Sequence, residues 1–117
     1  MNRSKAKGSL FERQVVEYLQ ANGFPHAERR VTQGSQDRGD VAGVNHWVLE
    51  IKNHARMELA DWVDQSIAEA INAGGQYSAV VHKRRGRPAG GAYVTMTLQQ
   101  LCSLMMLEAI VHYPPTA

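Results

Sequence analysis

Cysteine is almost missing from this chain. Cys102 is the one thiol among 117 residues, so no disulfide can form within the chain, and its apolar neighbourhood suits a reducing compartment. No segment reaches the ~18 consecutive apolar residues of a membrane span. The start, Met1 to Gly8, is basic and has no apolar run of a secretory signal. These absences lead to the expectation of a soluble cytoplasmic protein without a membrane partner. A metal-ligand spacing is also missing. His26, His46, His54, His82 and His112 form no His-x-x-His or His-Glu-x-x-His pattern, and Cys102 has no partner at zinc-ligand spacing, which speaks against a zinc site. Net charge is only +2, from 13 Lys+Arg against 11 Asp+Glu, so overall charge alone names no partner.

What is present reads as an ordinary globular domain. Hydrophobic residues make up 44% and charged residues 21% of the chain, which excludes disorder. A chain of this length buries roughly two-thirds of its unfolded surface and needs no staple to fold. No internal repeat, linker or low-complexity segment divides it, so residues 1–117 are expected to form one domain, with 1–8 as a basic N-terminal arm and 109–117 as a C-terminal tail.

The periodicity gives an α-β-β-β-α-β-β-α order. Phe11, Val15, Tyr18 and Leu19 recur at helical steps over 9–22, and Gly23 and Pro25 end that helix. Residues 26–32 and 40–43 read as short strands around the polar loop 33–39. Trp47-Val48-Leu49-Glu50-Ile51-Lys52 is the clearest strand. A helix over 58–73 places Leu59, Val63, Ile67, Ala70 and Ile71 on one face, and Gly74-Gly75 end it. Strands at 78–82 and 92–97 flank a basic, glycine-rich connection, and a helix over 98–108 closes the domain. The fold class is α/β, with a central mixed β-sheet flanked by helices.

The chemistry concentrates in Gly39-Asp40 and Glu50-Ile51-Lys52. On a strand, Glu50 and Lys52 share a face while Trp47, Leu49 and Ile51 take the other. A tight turn brings Asp40 beside Glu50. Two carboxylates and a backbone carbonyl, that of Ile51, are hard oxygen ligands suited to Mg²⁺ or Mn²⁺. Lys52 beside them can orient a water or stabilise transition-state charge. The same Glu-x-Lys spacing also fits a solvated strand face. Two details favour chemistry. The strand is otherwise apolar, as a central strand is. Glu12 lies in line with Val16 and Leu19, toward the buried side of the first helix, where a carboxylate needs a partner or a cation. A salt bridge to Arg13 or Arg30 is the alternative for Glu12. The basic residues cluster in Arg3, Lys5 and Lys7, in Arg29, Arg30 and Arg38, and in Lys83, Arg84, Arg85 and Arg87. Such segregation fits a polyanion. The last cluster reads either as an arm touching DNA backbone or as a solvated hairpin loop.

Lys7-Gly8-Ser9-Leu10-Phe11-Glu12-Arg13, Gly34-Ser35, Gly39-Asp40-Val41-Ala42-Gly43 and Leu49-Glu50-Ile51-Lys52 together resemble the PD-(D/E)xK nuclease superfamily. Within it they resemble the archaeal-type Holliday junction resolvases, in a form similar to small phage-encoded members. The likeness runs from about Lys7 to Lys52. It implies a restriction-endonuclease-like fold, with Asp40 and Glu50 as metal ligands, Glu12 assisting metal or water, and Lys52 as catalytic lysine. It further implies that Gly34 and Ser35 form a loop whose serine lies near the scissile phosphate, and that Arg13 and Arg30 contact DNA. The residue ahead of the aspartate is Gly39, where the motif has proline.

The expected function is therefore Mg²⁺- or Mn²⁺-dependent endonucleolytic cleavage of branched DNA, with four-way junctions first. The binding set is Arg13, Arg30, Arg38, Lys83, Arg84, Arg85 and Arg87. A junction is near two-fold symmetric and needs paired cuts, which a C2 homodimer supplies. Leu101, Leu104, Met105 and Leu107 offer core or a dimer surface. The alternatives are a nuclease for flaps, nicks or duplex DNA, a DNA-binding module without catalysis, and an interaction subunit for an acidic protein.

Overall fold

The structure, a computed structural model, describes residues 3–30 and 39–115. Its elements follow the expected order: α1 (Arg3–Ala21), β1 (Glu28–Arg29), β2 (Val41–Ala42), β3 (Trp47–Lys52), α2 (Leu59–Ala73), β4 (Tyr77–His82), one 3₁₀ turn (Ala89–Gly91), β5 (Tyr93–Thr95) and α3 (Leu98–His112). No described helix is long and apolar enough to cross a membrane.

The strands form two sheets rather than one. β1 and β2 pair antiparallel, and β3-β4-β5 form a mixed sheet, parallel between β3 and β4 and antiparallel between β4 and β5. The middle strand is β4, not β3, which corrects the expectation that the Glu50 strand is the central one. The free edge of β3 is instead met by Asp40, whose N–H donates to the Leu49 carbonyl at 2.9 Å. That bond stitches the small sheet to the large one.

β3 is nonetheless covered on both faces, with Val48, Leu49, Glu50 and Ile51 all buried. Leu49 and Ile51, with Ala79 and Val81 of β4, pack on Phe11, Val15 and Val16 of α1. The alternate residues face α2. Period-two alternation sends each set to its own helix, which is the packing a β-α-β crossover produces.

α2 spans the expected range but turns a different face inward. Trp62, Ser66, Glu69 and Ala70 are buried, while Ile71 is 76% exposed. Ser66 and Ala70 are small and let the helix lie close to the sheet. The helix ends at Gly74, left-handed at φ +68°, with Gly75 N–H returning to the Ala70 carbonyl at 2.9 Å, a glycine-terminated cap. Two ends are longer than anticipated. α1 takes in most of the basic N-terminal arm, and α3 continues to His112, into the segment read as a tail.

Candidate active-site cleft

The strand–turn–strand between Asp40 and β3 builds the site. Asp40 is held by three hydrogen bonds. Its N–H reaches Leu49, its carbonyl accepts from Arg30 N–H at 2.8 Å, and its Oδ2 accepts from Ile51 N–H at 2.6 Å. Gly39, immediately before it, sits at φ +91°, and a Cβ there would stand 2.6 Å from the Val48 side chain. Proline, locked near φ −65°, cannot take that conformation. The chain therefore enters Asp40 through a turn that glycine fits and proline does not.

Glu50 is 4% exposed. Its Oε1 lies 3.2 Å from Lys52 Nζ and accepts from Gln65 Nε2 at 3.3 Å. Its Oε2 is buried and meets no hydrogen-bond partner among the described residues. Glu12 faces the same space from α1, with Oε2 accepting from Arg29 Nη2 at 2.9 Å and Nε at 3.2 Å. The partner of Glu12 is thus Arg29, not Arg13 or Arg30. Glu12, Asp40, Glu50, Ile51 and Lys52 line one cleft of about 340 Å³, together with Lys7, Asn53 and His54. Burial pushes the Asp40 carboxyl up to about 7; the neighbouring Glu50 charge adds to this, and the Ile51 N–H works against it. A carboxyl held that high, next to a carboxylate oxygen with no donor, is a site short of positive charge. The donor set is all oxygen and fits a hard divalent cation. No group of three His, Cys, Asp or Glu side chains among the described residues stands close enough to hold one as placed.

The other expected residues divide. Gly34, Ser35 and Arg38 lie outside the described residues. Arg13 is exposed on α1. Arg30 lines a separate groove of about 780 Å³ with Phe24, His26, His46 and Gly74. Lys83 and Arg85 line a trough that adjoins the cleft. Arg84 stacks on Tyr93, its guanidinium 4.3 Å from the ring centroid, and Arg87 borders a surface hollow beside Glu17 and Tyr18.

Three polar residues outside the expected site set belong to this region. Arg29 neutralises Glu12. Gln65 reaches Glu50. Glu69 is buried to 2% on α2 beside Gly39. Counting α2 from Trp62, its largest apolar residue, gives 62, 66, 69 and 73, with Gln65 on the flank of that stripe. That count would have found both α2 residues. No protein-family model, no curated protein and no solved structure matches the chain.

Proposed function

We propose that the chain is a divalent-metal-dependent endonuclease of the PD-(D/E)xK type that cuts branched DNA, four-way junctions foremost. The observation that carries this reading is the convergence of Glu12, Asp40, Glu50 and Lys52 on one cleft from three separated segments, with an unpartnered buried carboxylate oxygen inside it. Asp40, Glu50 and the Ile51 carbonyl would hold Mg²⁺ or Mn²⁺, and Glu12 would support it. Such an ion neutralises a reacting phosphate and lowers the pKa of bound water.

The chain's own groups do the positioning. Ile51 N–H fixes one Asp40 oxygen and leaves the other for the cleft. Gln65 and Lys52 fix Glu50 Oε1, so that Oε2 is the atom left to bind. Lys52 keeps an ammonium beside the carboxylates, where it orients water or stabilises the charge that grows on the phosphate. Arg29 restrains Glu12.

A second copy of the chain completes the reading. α3 has no buried residue. Leu98, Leu101, Met105, Met106, Leu107, Ile110, Val111 and Tyr113 are between 42% and 82% exposed. Their exposed apolar surface runs along and around the helix, the kind of surface that marks an interaction site. α3 carries one acid, Glu108, bonded to His112 at 3.4 Å, so two copies meet with little like-charge repulsion.

The test is cleavage of a synthetic immobile four-way junction against linear duplex of the same sequence, with and without Mg²⁺. Paired incisions in the junction only with metal are expected. Asp40→Ala and Glu50→Ala should each lower cleavage by at least ~10³-fold while leaving junction binding largely intact. Cleavage at the wild-type rate by either variant would end the assignment.

A further inference from the structure

The carboxylate cleft is not closed at its far end. Lys7, Asn53, His54 and Ala55 line it and also line the next cavity, a trough of about 610 Å³. The trough adds Lys83 and Arg85 from the β4–β5 connection and Met57 from the segment before α2. All its charged lining residues are cationic: Lys7, Lys83 and Arg85. The path therefore runs from acidic to basic. The Lys83 ammonium is anchored rather than free, bonded to the Arg87 carbonyl at 3.1 Å and 5.8 Å from the Phe11 ring centroid. His54 stands at the junction of the two cavities, its ring tilted against Trp62 with 5.3 Å between centroids.

We infer that this trough is the track for the DNA strand on one side of the scissile phosphate, with Lys7, Lys83 and Arg85 each taking a backbone phosphate. A phosphodiester chain needs this alternation: a divalent cation among carboxylates at the reacting phosphate, and fixed ammonium or guanidinium groups at its neighbours. The four basic residues of the β4–β5 connection are then unequal. Lys83 and Arg85 face the track. Arg84 is committed to the face of Tyr93, outside it.

The inference rests on the nuclease reading for its direction but is tested apart from it. Binding of the full chain to the immobile four-way junction is measured in EDTA across a salt series, where no cleavage contributes. Lys83→Ala with Arg85→Ala is expected to lower the slope of log affinity against log salt by about two, and Lys7→Ala by about one. Arg84→Ala should leave the slope unchanged. If Arg84→Ala lowers it by about one, or the double variant leaves it unchanged, the track is wrong, whatever the wild type does in Mg²⁺. If the slopes fall as stated but no DNA is cut in Mg²⁺ or Mn²⁺, the track stands and the nuclease reading fails.

Discussion

At the scale of single residues, the pH dependence of stability turns on Asp40 in the cleft and on one histidine outside it. Burial and the Glu50 charge raise the Asp40 carboxyl from 3.8 to about 7, so the folded chain binds a proton there more tightly than the unfolded chain does. That contribution is present below pH ~4 and is lost as pH rises through 7. His82 works in the opposite direction. It is 5% exposed, bonded through Nε2 to Thr95 Oγ1 at 2.8 Å, and burial lowers its pKa below 6.5. Its contribution is present above pH 6.5 and lost as pH falls toward the lowered value. The two slopes oppose each other between about pH 4 and 7 in the metal-free protein. Asp40→Asn should raise the melting temperature at pH 8 without metal, by on the order of 4 °C for each kcal/mol of charge burial relieved, and should unmask the acid-side loss that His82 causes. Mg²⁺ should raise the melting temperature of the wild type at pH 8 more than at pH 5, and that of Asp40→Asn little at either. An Asp40→Asn protein that melts lower than wild type at pH 8 would contradict the raised carboxyl.

At the scale of elements, α2 carries the clearest lesson. Its hydrophobic spacing supports two neighbouring faces, and only the sheet beneath it chooses. β3 and β4 present Val48, Ser78, Val80 and Glu50 toward it. Close approach then requires small residues at 66 and 70, with Trp62 filling the gap beside His82, 6.3 Å between ring centroids. Ile71, the more hydrophobic residue, is left in water. Substitutions should follow burial and not hydropathy. Ile71→Ser should change stability in urea by less than ~0.5 kcal/mol. Ser66→Leu, which adds volume against a closed sheet, should cost about 1–3 kcal/mol. The reverse order would mean that α2 sits in the register its hydropathy suggests. Gln65 follows the same logic: its route to Glu50 exists because α2 rotates Trp62 inward.

At the scale of the whole molecule, α3 stands out. Its first turn is tied down: Thr97 caps Gln100 N–H at 3.3 Å, and Gln100 Oε1 accepts from Ser78 N–H at 2.7 Å. Beyond that turn no described side chain of the helix is buried. The molecule measures 60 × 33 × 28 Å, with a radius of gyration of 15.2 Å, against about 13.4 Å for a compact domain of this length. An apolar helix held at one end and bare along its length suits a second copy. Light scattering at micromolar concentration should give the mass of a dimer. Leu101→Glu with Ile110→Glu should give a monomer that keeps its circular dichroism and still binds junction DNA, with paired incision reduced to single nicks. A wild type that remains monomeric at those concentrations removes the dimer.

The sequence alone determined the order of the elements, the span of β3 to the residue and the identity of the four groups that meet in the cleft. These depend on local periodicity, on glycine-terminated helices and on residue chemistry, all of which are written along the chain. Tertiary structure alone decided which strand is central, which face of α2 is buried, that Arg29 and not Arg13 or Arg30 restrains Glu12, and that Arg84 lies over Tyr93 while Lys83 and Arg85 line the trough. These depend on contacts between separate elements of the fold, or on competition between nearly equivalent faces. The energy that settles them is packing against a neighbour, which a local pattern does not contain.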